Sequence, residues 1–323
     1  MGEVINGYDL IEPLQNRDAG FSRWTYAVRD GKLYFLKEFM DPVYPVVDSL
    51  SEKLREQRIR DCKEYEEEKR NIYETVNRAS DGNLVRVFEF FRYDSHYYIS
   101  TLKVDAMDMS FEEVAALPLD MRLLLCGTVA HSIMELHQAG IIHADLKASN
   151  ILLQRTETGR IAGKIIDFDC SFSESRPPEE EDALGGDQVY LAPEACQFLC
   201  GDDVSLTGKM DVFALGLLFH QYLTGSLPEF DQSEYDYAHE AVLDGQELLV
   251  SEELSEEIRG LIQRMLTGDP EERCSSEEVF RELRRLGNRE PADREESSGG
   301  GYDEEEQEED SVFSGYFHMP GDL

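Results

Sequence analysis

Apolar and polar residues alternate over 8–39, where Tyr8-Asp-Leu-Ile, Thr25-Tyr-Ala-Val and Lys32-Leu-Tyr-Phe-Leu-Lys37 are separated by polar turn segments. A period of two predicts three antiparallel strands, with Asp30-Gly31 as a hairpin turn. Over 51–78 the pattern becomes a long, charged helical one, with Leu54, Ile59, Tyr65, Ile72 and Val76 loosely on one stripe. Two further strand patterns, from Leu84 and from His96, close a small five-stranded sheet. From Phe111 onward the period is helical. Pro118 to Gly140 predicts one long helix burying Leu123, Leu124, Val129, Ile133 and Leu136, and Asp211 opens a wholly apolar helix suited to the buried axis of a second, larger unit.

Between those two helices lies the stretch with chemistry in it. Residues 141–169 read as an apolar run, the polar loop His143-Ala-Asp145-Leu-Lys147-Ala-Ser-Asn150, a second apolar run, a turn, and a third apolar run ending in Asp167-Phe168-Asp169. A β-hairpin of this kind brings two carboxylates and a carboxamide to strand ends. Asp145, Asn150 and Asp167 can there converge on a divalent metal and a hydroxyl nucleophile, and Lys147 adds a cation. Singly, an Asp in a turn is usually a local cap and an Asn before a strand a turn residue. Together they supply the parts that phosphoryl transfer needs.

Charge narrows the partners. The 68 acids outnumber the 31 lysines and arginines, for a net charge of −37, which argues against a nucleic-acid binder and leaves basic proteins or peptides as the more plausible targets. Six cysteines without Cys-x-x-Cys spacing read as free thiols in a reducing compartment. No apolar stretch reaches membrane-spanning length, and the N-terminal residues lack a basic and apolar export signal, so the expected location is cytoplasmic and off the membrane.

His-x-Asp-x-Lys-x-x-Asn followed by Asp-Phe-Asp resembles the protein kinase superfamily, as does Ala192-Pro193-Glu194 further on. The resemblance runs from about Tyr8 to Leu286 and implies an α+β, bilobal fold: a small antiparallel β lobe with one main helix (1–103), a mostly helical lobe (104–287), and an acidic tail (288–323). It implies transfer of the ATP γ-phosphate to a Ser or Thr hydroxyl. Asp145 and Lys147 become the catalytic residues, and Asn150 and Asp167 the holders of Mg²⁺, for which Mn²⁺ could substitute. Lys37 becomes the contact to the nucleotide phosphates, held by Glu68, with Glu64 and Glu67 as alternatives if the helical register shifts. Gly20 and Ser22 stand where the family has its Gly-rich loop, Thr101 at the gatekeeper position, and Leu102 to Val104 at the adenine-facing hinge. His143, Phe168 and Asp169 take regulatory or structural places. Asp211 would anchor the catalytic loop, and Glu194 and Arg273 would form a buried ion pair.

Departures from the family pattern favour a divergent member. Ala144 replaces the usual Arg, which implies activity without a phosphorylated loop to read. Asp169 replaces the Gly of Asp-Phe-Gly, Asp187 stands at the usual Thr, and Phe35 replaces an Ala beneath adenine. They motivate two alternatives, a pseudokinase or nucleotide-binding scaffold and a kinase-fold enzyme moving another phosphoryl or nucleotidyl group. The tail carries 12 acids against Arg289 and Arg294, then an aromatic stretch near Tyr316. An idle disordered end is the default expectation for it, and docking of a partner the alternative.

Overall fold

The computed structural model describes residues 3–17, 22–46, 51–80, 82–180 and 184–288. They form two compact units, the first made of the described residues within 1–80 and 85–105 and the second of those within 81–84 and 106–323.

The first unit is built on a six-stranded antiparallel sheet of order β1-β2-β3-β4-β6-β5: β1 (Val4–Ile5), β2 (Tyr8–Leu10), β3 (Ser22–Arg29), β4 (Lys32–Phe39), β5 (Val87–Tyr93) and β6 (His96–Leu102). The expected five strands are therefore one too few. Asn6 and Gly7 adopt φ of 49° and 84°, the left-handed pair of a tight hairpin turn, and fold Val4–Ile5 back onto Tyr8–Asp9. Asp30 and Gly31, at φ of 51° and 75°, make the hairpin expected of them between β3 and β4. One face of the sheet carries a core of Ile5, Tyr8, Leu10, Ala27, Tyr34, Leu36 and Tyr98.

The opposite face follows from the register. Trp24 pairs with Lys37, Tyr26 with Phe35, Phe35 with Thr101 and Lys37 with Ile99, so all six side chains lie on one side. Helix α1 (Glu52–Ala79) covers the end of that face, where Tyr65 meets Phe39 and Tyr97 at ring-centroid distances of 6.3 and 5.3 Å. The stripe that packs begins only at Cys62; Leu54 is exposed.

In the second unit α2 (Phe111–Ala115) leads into α3 (Leu119–Gln138), β7 (Ile141–Ile142), the hairpin β8 (Ile151–Arg155) and β9 (Ile161–Ile165), and β10 (Phe172–Ser173), which pairs with β7. Helices α4 (Pro193–Leu199), α5 (Lys209–Thr224), α6 (Ala238–Leu243), α7 (Glu256–Met265) and α8 (Ser276–Gly287) complete it. Helix α5 is the expected axis, with every residue from Met210 to Leu223 buried. Gly163 on β9 sits so close to α3 that an added Cβ would lie 2.5 Å from Val129, which is why that strand reads Ile-Ala-Gly. No helix among the described residues is long and apolar enough to cross a membrane.

Candidate active site

The polar loop between β7 and β8 is held by a buried carboxylate. Asp211, in the first turn of α5, accepts the backbone N–H of His143 at 2.8 Å and of Ala144 at 2.9 Å, and the Nε2–H of His137 at 2.9 Å. Burial alone would raise its pKa, but the His137 contact and the His143 amide overcome that and hold it below the usual carboxylate range. A side chain with three donors aimed at it stays ionised. The clamp lets Ala144 remain at φ 66°, a conformation that costs a non-glycine residue roughly 1–2 kcal/mol.

With the loop fixed, its functional groups face one another. Lys147 Nζ lies 2.8 Å from Asp145 Oδ2, and Asn150 Nδ2 donates to the Asp145 carbonyl at 2.7 Å and to Oδ2 at 2.9 Å. Burial pulls the Lys147 pKa down, yet Asp145, then Asp187 and Asp167, outweigh it, and the net shift is upward. Lys147 is thus a cation among three carboxylates. Asp187, at the position where a Thr was expected, joins this group electrostatically, a link the sequence did not suggest.

Asn150 leads directly into β8, and its carbonyl accepts the N–H of Ile166, which ties the loop to the strand end bearing Asp167. Asp167 adopts φ 65°, and its Oδ1 accepts the N–H of Asp169 at 3.4 Å. Asp169 itself does not occupy the left-handed region, so the missing glycine imposes no backbone strain there. Phe168 is fully buried with its ring centroid 5.3 Å from that of His143, whose Nε2–H donates to the Ile166 carbonyl at 3.2 Å.

A small cleft beside Asp145 is lined by Gly186, Asp187, Tyr190 and Ala192. Tyr190 donates to Gln221 on α5 at 2.6 Å, and burial pushes its phenol up to about 12. Behind this segment Glu194 and Arg273 form the expected pair, at 2.6 and 3.0 Å, with both side chains buried. Arg273 also donates to the carbonyls of Thr267, Lys209 and Gly268, so its guanidinium is satisfied on every side.

The remaining candidates lie in the first unit. Lys37 and Thr101 are buried on the α1-facing side of the sheet, Val104 is half-buried, and Leu102 is exposed. Ser22 opens β3 and is buried, whereas Gly20 lies outside the described residues, as does the tail beyond Asn288. Glu68 requires correction. Helix α1 turns it to solvent and carries Lys69 inward instead, because the packed stripe runs through Cys62, Lys69, Ile72, Tyr73 and Val76. Glu64 and Glu67 are also exposed. Phe35 stacks on Trp24 at 5.5 Å with Tyr26 edge-on at 6.1 Å, an aromatic group that no motif in the sequence marks.

A carboxyl group held by a lysine and a carboxamide, on a hairpin clamped from beneath, defines a phosphotransferase-type loop. Residues 51–283 match the protein kinase domain family, and the chain belongs to that family. It is similar to the serine/threonine-protein kinase PSK2 of Saccharomyces cerevisiae, 30% identical over 218 residues, which are 65% of this chain and 18% of that protein. It is also similar to the serine/threonine-protein kinase ULK3 of Xenopus laevis, at 28% over 229 residues (65% of this chain, 47% of that protein). With cds1 of Schizosaccharomyces pombe, another serine/threonine-protein kinase, it shares 31% over 212 residues, covering 61% and 43%. The chain thus spans less than half the length of these curated relatives.

Proposed function

We propose that this chain is a protein kinase that transfers the γ-phosphate of ATP to a Ser or Thr hydroxyl of a protein substrate. The observation that carries the reading is the Asp145, Lys147 and Asn150 network held on the Asp211 clamp. Asp145 takes or orients the hydroxyl proton, and Lys147 offsets charge on the transferring phosphoryl group. Asn150 gives its amide N–H₂ to Asp145. Its side-chain oxygen therefore remains as a hard donor which, with the Asp167 carboxylate, fits Mg²⁺ or Mn²⁺. When bound, that ion neutralises charge on the phosphate oxygens. In this reading Lys37 is the residue for the nucleotide phosphates, Thr101 and the backbone of Leu102 to Val104 are the groups for the base, and Gly20 and Ser22 stand at the phosphate-loop position of the sequence. Phe168 and His143 hold the Asp167 turn in register with the catalytic loop.

Similarity to three serine/threonine-protein kinases supports the choice of hydroxyl, as does Lys147 itself. The net charge of −37 favours a basic protein substrate, and six free cysteines favour a reducing, cytoplasmic setting away from membranes and nucleic acid. The Trp24–Phe35 stack on the Lys37 face motivates a second reading, a nucleotide-binding scaffold without transfer. Incubation with Mg²⁺, γ-labelled ATP and a generic basic protein, beside Asp145→Ala, separates the two. Label on Ser or Thr that disappears in the variant supports the kinase. Nucleotide binding with no label in either protein supports the scaffold.

A further inference from the structure

Helix α8 buries Ser276, Val279, Leu283, Leu286 and Gly287, a stripe at spacings of three and four on which Ser276 is the one polar side chain. A serine in such a place is destabilising unless its hydroxyl finds a partner, and at 5% exposure it is shut off from bulk water. Its Oγ lies 2.9 Å from Nδ1 of His137, near the end of α3. The other nitrogen of that ring, Nε2, lies 2.9 Å from Asp211 Oδ2 at the start of α5. Helices α3, α5 and α8 thus meet through one imidazole.

The ring's protonation pattern follows from its neighbours. The Asp211 carboxylate offers only lone pairs, so Nε2 carries the proton, and Nδ1 is left as an acceptor that the Ser276 O–H fills. Packing fixes the ring's place as well. A Cβ added at Gly208 would lie 2.8 Å from Nδ1 and 2.9 Å from Cε1, so the ring rests directly on that backbone, although φ −55° there suits any residue. What the ring holds bears on the catalytic loop. Asp211 Oδ2 accepts both His137 and the His143 amide, and Oδ1 accepts the Ala144 amide. Ala144 stands at φ 66° with no polar side chain of its own to keep it there, so the loop depends on the groups beneath it. Without the Ser276 hydroxyl, Nδ1 faces an apolar stripe, and the ring regains the tautomer in which Nε2 no longer donates to Asp211.

We propose that Ser276 is a positioning residue for phosphoryl transfer: by holding the His137 ring it keeps Asp211 clamped on the loop that carries Asp145 and Lys147. The reaction it serves rests on the kinase reading. The test compares the full chain with Ser276→Ala, His137→Phe and the double variant, by steady-state kinetics with Mg-ATP and a generic basic protein and by amide-resolved hydrogen exchange. Loss of one buried hydrogen bond should lower the kcat of Ser276→Ala about 10-fold, with the KM for ATP within about twofold because Lys37 and the groups for the base are untouched. Added to His137→Phe, the same substitution should cost nothing further, since the hydroxyl acts through that ring. Exchange at the His143 and Ala144 amides should rise about 10-fold in Ser276→Ala while Leu215 to Leu218 on α5 keep their protection. With an active wild type, an unchanged kcat in Ser276→Ala overturns the inference. So does a loss that adds to that of His137→Phe, or faster exchange across α5 as well, which is the mark of a merely structural role. If the wild type transfers no phosphate, faster exchange confined to the two loop amides upholds Ser276 as the residue that positions the loop and overturns the kinase reading. Unchanged exchange in that case overturns both.

Discussion

Arg273 and Glu194 meet with 0% and 3% of their side chains exposed, so removing one partner strands the other's charge in the interior. Arg273→Met should therefore destabilise the protein by about 3–5 kcal/mol, seen as a lower urea midpoint, whereas a surface arginine such as Arg281 should cost well under about 1 kcal/mol. His220 makes a second prediction. Its Nδ1–H donates to the Ser226 carbonyl at 2.6 Å, and its Nε2 accepts the Ser251 N–H at 3.1 Å, a pattern only the neutral ring can satisfy. Burial pulls its pKa down, against smaller upward pulls from Ser226 and Glu229. In the unfolded chain the ring takes up a proton near about pH 6.5, before the folded protein does, so its contribution is complete above that pH and is lost as pH falls. The urea midpoint should drop between about pH 7.5 and about pH 5.5, and His220→Gln should flatten that part of the profile. Neither His220 nor its partners stood out in the sequence, because the carbonyl and amide that decide its tautomer come from chain segments with no side-chain signature. The meeting of Asp145, Lys147 and Asn150 was legible because it depends on spacing within one loop. Glu68 was misassigned because α1 offers acids on almost every face, and only packing shows which residue turns inward.

Helix α1 has two unlike halves. From Cys62 onward it buries a stripe against the sheet, while residues 52–61 are exposed or half-buried throughout. A helix packed more fully over one half than over the other should open first over the less packed half. Hydrogen exchange is expected to be faster over 52–61 than over 62–79; uniform protection along the helix would mean that the first half is covered by something else. The helical period puts Leu54 on the same stripe, yet it is exposed, because periodicity does not tell how far a helix runs past its partner. The opposite error occurred at the N-terminus. Asn6-Gly7 is a strong hairpin signal, but strands of two and three residues carry too little alternation to register as a pattern. Of the longer elements, α5 was legible because burial on every side leaves few polar residues in it, and α3 and the β8–β9 hairpin because their apolar residues recur at helical and strand spacing between polar ones.

At the scale of the whole chain, composition and fold pull against each other. A net charge of −37 is self-repulsive, and folding of the two units brings their charges closer together, so part of the stabilisation from the two cores is spent against repulsion. Exposed pairs such as Arg281–Glu277 and Arg285–Glu282 recover little of it, being open to solvent. Salt should then act mainly by screening. Raising sodium chloride from about 0.01 M to about 0.15 M shortens the screening length from about 30 Å to about 8 Å, and the melting temperature is expected to rise over that range. Chloride separates screening from the exclusion effects of sulfate or phosphate, which would stabilise any fold. The tail contributes 12 acids against two arginines, so a chain ending at Asn288 should show a shallower rise than the full chain. A melting temperature that falls with salt would mean that attractive pairs outweigh repulsion. The acidity would then be part of what holds the fold, instead of a load the cores carry.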